Sequence, residues 1–347
     1  MAAYTTIDDA GAFFNTILYT ATGSSLAVTG AGFQPDVTWI KNRTATDPHI
    51  LTDVVRGATK YLECNDLTAE TTNAESLKSF DSDGFTVGTM ASVNTNTEGY
   101  VAWNWKAGGT GALNEVGTSD STVSVNTTSG VSIATYTGTG ATATIGHGLG
   151  TVPQLIFTKV FSDTEDWMVY VENLGNETGL RFNDNFASLA TSSAYYNDTT
   201  PTSTVFTVGT HPSTNWNTKT LVAYCFAPIQ GFSAMGTYEG NGNANGIFTF
   251  TGFRPAFIMV KRTDTTNNWI LLNNKMSLYN NEEGNELYAD LTQYQNPFTD
   301  GGLDFLSNGF KCRGTNASLN ASGGDYTYVA FAESPFVNSS SVPTNAR

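Results

Sequence analysis

The sequence predicts an all-β protein built of three tandem antiparallel β-sandwich repeats, jelly-roll-like and about 100 residues each. Three observations carry that prediction. Apolar segments are short, rich in Val, Ile, Thr, Tyr and Phe, and broken about every eight to twelve residues by Gly, Asn or Asp, which is how strands and turns alternate. No window sustains a helical period, and the best helix candidate is a single turn at Ala74 to Lys78. The chain is also similar to itself three times over.

The first element of the unit is a strand, a Gly turn, a Pro and a second strand ending in Lys. It reads FFNTILYTATGSSLAVTGAGFQPDVTWIKNR from Phe13, GVSIATYTGTGATATIGHGLGTVPQLIFTKV from Gly130 and GFSAMGTYEGNGNANGIFTFTGFRPAFIMVKR from Gly231. The Pro-to-Lys spacing is six in each copy: Pro35 to Lys41, Pro153 to Lys159, Pro255 to Lys261. These six residues define the repeat. Fourteen residues after the Pro stand His49, Trp167 and Trp269. Next comes a turn and strand, SDGFTVGT from Ser82, STVFTVGT from Ser203 and SNGFKCRG from Ser307. The unit closes with YVAWNWKA from Tyr100, LVAYCFAP from Leu221 and YVAFAESP from Tyr328.

The organisation expected from these landmarks is one repeat over 1–107, a Gly/Ser/Thr-rich linker over 108–129 with one short strand at Val123 to Val125, repeats over 130–229 and 230–337, and a C-terminal tail over 338–347. The second junction, PIQGFSAMG from Pro228, is short, so repeats two and three should pack more rigidly than one and two. The runs Leu155-Ile-Phe-Thr-Lys and Phe257-Ile-Met-Val-Lys are almost wholly apolar, as in a strand covered on both faces. Their terminal lysines should lie along a sheet edge with the ammonium in water, which competes with a reading in which three equivalent lysines hold an anion. Trp167 and Trp269 should pack between the two sheets of a repeat; the competing reading is a platform for stacking sugars.

Composition removes several functions. Among 347 residues only 14% are charged, and 16 Lys+Arg against 31 Asp+Glu give a net charge of −15, so a phosphate backbone would be repelled and nucleic-acid binding is disfavoured. No apolar run approaches the ~18 residues of a membrane span, and the N-terminus has neither the basic nor the apolar part of a secretory signal. Cys64, Cys225 and Cys312 are too scattered for a disulfide framework or a metal site and read as buried thiols. His49, His147 and His211 lie in no catalytic signature. Asp81-Ser-Asp83-Gly84 starts like a calcium loop but has no downstream Glu, and the sister copies do not keep its carboxylates, so it reads as a turn. No catalytic residue, cofactor or metal ligand is expected.

Several strings carry a family resemblance. YTTIDDAGAFFNTILYTATGSS, GFQPDVTWIKNRTATDPHILTDVVRGATKYLECN, SFDSDGFTVG and YVAWNWKAGG in the first copy, GHGLGTVPQLIFTK in the second, and GFRPAFIMVKRTDTTNNWILLNNK, LDFLSNGFKCRG and YVAFAESPF in the third resemble the repeated module of structural proteins of tailed, especially marine, bacteriophages. The resemblance covers about residues 13 to 337. It implies a non-enzymatic virion protein, made in the bacterial cytoplasm and displayed on the outer surface of the particle, with other virion proteins, further copies of itself and a host surface polysaccharide as partners. The expected role is a tail-fibre or adhesin component contacting the host envelope. The alternative is a capsid decoration or head-fibre protein, since the chain has no heptads and no extended shaft. Tyr195, Tyr196 and Trp216, in a neutral loop-rich region, are the expected surface-recognition aromatics.

Overall fold

A computed structural model describes residues 4–276, 285–298 and 301–344. The protein is all-β, with several antiparallel sheets. Three large sheets share one strand order. In the first, Phe14–Thr20 lies beside Gly99–Trp105, then Val37–Asn42, Ile50–Asp53 and Lys60–Glu63. The second runs Val131–Thr137, Thr220–Phe226, Leu155–Val160, Met168–Val171, Leu180–Arg181. The third runs Ser233–Glu239, Asp325–Pro335, Phe253–Arg262, Ile270–Asn273, Asn285–Tyr288. The closing string of each segment thus forms the strand between the opening strand and the strand that carries the repeat's Lys.

Each segment also has a small sheet: Leu26–Thr29 with Gly84–Val87 and Leu77–Asp81, Ala143–Gly146 with Val205–Val208, and Phe248–Phe250 with Gly309–Cys312 and Leu303–Leu306. Gly84 is required where it stands: its φ is +144°, and a Cβ would sit 2.0 Å from the Val28 carbonyl oxygen on the paired strand.

The near-continuous apolar runs are explained by two different covers. Along Leu155–Val160, Leu155 and Phe157 face a core shared by all three segments, whereas Ile156 and Val160 face the core formed with the segment's own small sheet. Val37 and Trp39 against Ile40, and Val101 and Trp103 against Tyr100 and Ala102, divide in the same way. Period-two alternation is present, but both phases are apolar because both are buried. One core is thus common to the three segments. At its centre the rings of Trp105, Phe226 and Phe331, one from each segment, touch with centroids 5.6 to 6.4 Å apart.

Residues 108–129 are more than a linker. Ala112–Asn114 and Ser121–Asn126 extend the second large sheet, the latter pairing along Val131–Thr137 from Ser121 opposite Tyr136 to Asn126 opposite Val131. Its Ser-Thr-Val-Ser-Val pattern buries Val123, while Ser121 donates to the Gly146 carbonyl at 2.8 Å and Ser124 accepts from the Gly108 amide at 3.0 Å. Small hydroxyl residues build a strand here because each buried hydroxyl has a backbone partner.

Ala74 to Lys78 is a turn leading into Leu77–Asp81, with the Asn73 side chain accepting from the Glu75 amide. The described α-helices are single turns at Ala91–Asn94, Ser193–Tyr196, Pro212–Asn215 and Ala317–Asn320, beside two 3-10 turns at Ala10–Ala12 and Glu172–Leu174. Pro35 and Pro153 precede their strands, whereas Pro255 lies inside Phe253–Arg262, where the pairing register shifts on both sides of it. In the expected tail, Pro343 bridges back to Val337 of the third repeat; residues 345–347 lie outside the described residues.

Candidate functional site

The residues singled out by their spacing converge on the seams between segments. Lys41, Lys159 and Lys261 are fully buried, which corrects the expectation of ammonium groups in water. Each donates to a carbonyl of its own segment and to one of another: Lys41 to Asn42 at 2.9 Å and Thr292 at 3.1 Å, Lys159 to Glu165 at 2.6 Å and Leu67 at 2.8 Å, Lys261 to Asn267 and, at 3.1 Å, to Asn185. The direction is cyclic: the first segment grips the third, the second grips the first, and the third grips the second. An edge Lys would keep its charge hydrated; here the end of the strand is covered by a connecting loop from the neighbouring segment, whose carbonyl replaces water. Burial pushes each ammonium from its ordinary 10.5 down to about 8, partly offset by carboxylates such as Asp47, Glu165 and Asp290.

The position fourteen after the Pro does the same work. Trp167 Nε1 donates to the Glu63 carbonyl at 2.9 Å, Trp269 Nε1 to the Arg181 carbonyl at 2.8 Å, and His49 Nε2 faces the Tyr288 carbonyl at 2.8 Å. All three side chains are buried, so no sugar can stack on them. Trp167 and Trp269 lie in the core shared by the three segments, Trp167 against Phe182 and Tyr224 of its own segment and Trp269 against Phe182 of the second. Backbone pairs complete each seam, such as Asp47 N to Thr292 O at 3.0 Å, Glu165 N to Leu67 O at 2.9 Å and Asn267 N to Asn185 O at 2.7 Å.

A buried ion pair within the first segment also binds the Tyr224 hydroxyl of the second. Asp53 holds Arg56 Nε at 2.6 Å and receives the Tyr224 hydroxyl at 2.6 Å, while Arg56 Nη1 reaches Glu70 at 3.1 Å.

Sequence reasoning missed a further set, the asparagines that end three of the single-turn helices. Asn94, Asn215 and Asn320 are buried, and each ties the first hairpin to the helix. Asn215 Oδ1 accepts from Thr139 N at 2.7 Å, and its Nδ2 donates to the carbonyls of Ala141 and Gly209 at 2.6 and 2.7 Å. Asn320 repeats this with Asn241 N, Asn243 O and Gly314 O, as does Asn94 with Thr22 N, Ser24 O and Gly88 O. The signal was present, since Asn94 and Asn215 both stand seven residues before the Val of the closing strand.

A cavity of about 50 Å³ lies in the shared core, lined by apolar side chains that include Trp39, Cys64, Phe157, Phe226, Met259 and Phe331. It exposes no polar surface, so water would find no partner there. No reactive constellation surrounds it. His211 Nδ1 accepts from the Ser213 amide at 3.2 Å, while the Ser213 hydroxyl donates to Glu165 at 2.9 Å, so ring and hydroxyl share no proton. His147 Nδ1 accepts from Leu149 N, and its Nε2 faces the Thr202 carbonyl at 3.1 Å. Asp83 is occupied by the amides of Gly30 and Gly32, and Asp81 by Ser79 and Thr86. Among the described residues no three His, Cys, Asp or Glu side chains gather as a metal site, and no helix is long and apolar enough to cross a membrane.

The expected recognition aromatics divide. Tyr196 is buried against Tyr170, with ring centroids 5.3 Å apart, which corrects its assignment to the surface: the helical turn Ser193–Tyr196 presents that ring inward. Tyr195 is half-buried over His211, and Trp216 is half-buried with Lys219 above its ring. Among the described residues the exposed rings are instead Phe186, Phe248, Phe250 and Tyr294.

A model of one protein family, described as a domain of unknown function, DUF7483, matches residues 9–335. The chain belongs to the DUF7483 family. The match spans the three large sheets and the three seams, so the cyclically clasped block coincides with the DUF7483 domain. No curated protein matches the chain.

Proposed function

We propose that this DUF7483 protein is a non-enzymatic structural component of a tailed-phage virion, displayed on the particle surface as a tail-fibre or adhesin element that contacts the host envelope. In this reading its architecture is three β-sandwich repeats, each a large sheet covered by a small one. The observation that carries it is the cyclic clasp. Polar groups that a catalytic protein would aim into a cleft are spent here on carbonyls across the seams. The product is a rigid block whose outer hairpins and small sheets are free to touch other molecules, as a particle surface requires. The low fraction of charged residues, 14%, and the exposed rings of Phe186, Phe248, Phe250 and Tyr294 suit contact with uncharged polymers.

The test is binding of the purified protein to host cells and to extracted envelope polysaccharide, with Phe248→Ser and Phe250→Ser as the variant pair. Saturable binding that the pair weakens supports the reading; no binding to any envelope fraction refutes it. A second reading, a capsid decoration protein, is favoured by the three-way pseudo-symmetry, which suits a threefold position on a shell. Copy number in purified virions separates the two, hundreds for decoration against a few tens for a fibre.

A further inference from the structure

One seam is chemically unlike the other two. Where the second and third segments use Trp167 and Trp269 to reach across, the first uses His49, and it does so at the seam between the first and last segments. The partner of that histidine has changed with it. Trp39 Nε1 donates to His49 Nδ1 at 3.0 Å, and the residues standing at the same distance from the Pro in the other segments are Phe157 and Met259, which have no such donor.

These contacts fix the ring's protonation. Indole nitrogen only donates, so Nδ1 must be the acceptor; the ring proton is then on Nε2, where it is donated to the Tyr288 carbonyl. A second proton would have to go on Nδ1, against the Trp39 N–H. We propose that His49 is an acid-sensitive latch, which holds the first segment to the third while neutral and releases that end of the seam when protonated, leaving the two tryptophan seams closed.

The surroundings bear this out element by element. Burial holds the imidazole well below its ordinary 6.5, and Lys41 on Val37–Asn42 adds to this by carrying a like charge towards the ring. Asp47, on the loop before His49, is engaged by Asn42. From Lys60–Glu63 and the residues after it, the Glu63 carboxyl and the Cys64 thiol are both pushed up by burial, and Asn65 accepts the His49 amide. From the third segment the ring meets the Tyr288 carbonyl; the Glu286 carboxyl is bonded to the Tyr288 hydroxyl on the strand face opposite Leu287. Asp290 caps the Trp269 amide on its own segment. The second segment contributes the uncharged ring of Phe182, 5.6 Å from Trp39. No fixed negative charge is therefore paired with an imidazolium here. Glu286 and Asp290 ionise near 7 and near 6, and their protonation favours the closed form, the opposite sign to His49. The N-terminal arm, with Tyr4 bonded to the Gly252 carbonyl, ties the same two segments elsewhere, so the release is local.

The test is hydrogen exchange at pH 7 and pH 5, corrected for intrinsic rates, on the intact chain and on His49→Gln, whose amide can accept from Trp39 and donate to Tyr288 without titrating. The reporting amides are Asp47 and Gln295 for this seam, Glu165 and Glu70 for the second, and Asn267 and Ser188 for the third. An imidazole that titrates near 6.5 once released should raise opening by about 25-fold between the two pH values. The expected result is a loss of protection of that size at Asp47 and Gln295 alone, absent in His49→Gln and in the double variant Trp39→Phe with His49→Trp, which copies the Phe157 and Trp167 pair. Equal loss at all three seams, or the same loss in His49→Gln, overturns the proposal. If the variants fail to fold, an NMR titration of the intact protein decides: an imidazole that takes up its proton near pH 6.5 with the seam still protected overturns it as well.

Discussion

Replacing Lys159 with Met removes one of the three buried ammonium groups and leaves its strand otherwise intact. The wild-type group is held at about 8 in the folded protein and at 10.5 when released. Between those values the unfolded chain binds more protons than the folded one, so this lysine makes stability rise with pH and fall again as pH drops through 8. Each unit of such a difference corresponds to about 1.4 kcal/mol; integrated from pH 8.0 to 9.5, Lys159 contributes about 1.5 kcal/mol of added stability. Buried tyrosines and thiols such as Tyr136, Cys225 and Cys312, all pushed up by burial, act in the opposite direction over the same range. They are common to both proteins and cancel in the comparison. Urea unfolding at the two pH values should therefore show the parent gaining about 1.5 kcal/mol relative to Lys159→Met. Equal pH responses would mean that the ammonium is solvated in the folded state and that the clasp is not a buried contact.

Arg56→Met should destabilise by about 3–5 kcal/mol in the same assay, because Asp53 and the Tyr224 hydroxyl are left without their cation. Asn215→Ala strands the Thr139 amide and the carbonyls of Ala141 and Gly209, and should cost about 3 kcal/mol with increased exchange confined to that hairpin. Val329→Ile, which adds one methylene beside the apolar cavity, should be neutral to stabilising by about 1 kcal/mol, with a matching rise in the thermal midpoint. Cys64, Cys225 and Cys312 should resist a thiol reagent in the native protein and react together on unfolding, since burial holds all three thiols up.

Much of the local structure is legible in the chain. Gly and Asn punctuation marks the strands, and the Pro-to-Lys spacing of six marks three corresponding segments; the large sheets have one order in all three. Strand existence depends on side-chain pattern and turn chemistry within a few residues, which a sequence displays directly. What the lysines and the Trp/His position do could not be read in that way. A Lys at the end of an apolar strand is ordinarily hydrated, and only the arrival of Leu67, Asn185 or Thr292 from another segment turns it into a buried donor. Tyr196 reads as a loop aromatic until the helical turn Ser193–Tyr196 directs it inward, and residues 108–129 read as a linker until Val131–Thr137 offers them an edge to pair with. The sequence by itself determined the all-β class and the spacing of the three segments, because those rest on local propensity and periodicity. The tertiary structure alone decided that the segments share one core and grip one another in a ring, because burial is a property of surfaces that meet only after the strands have formed.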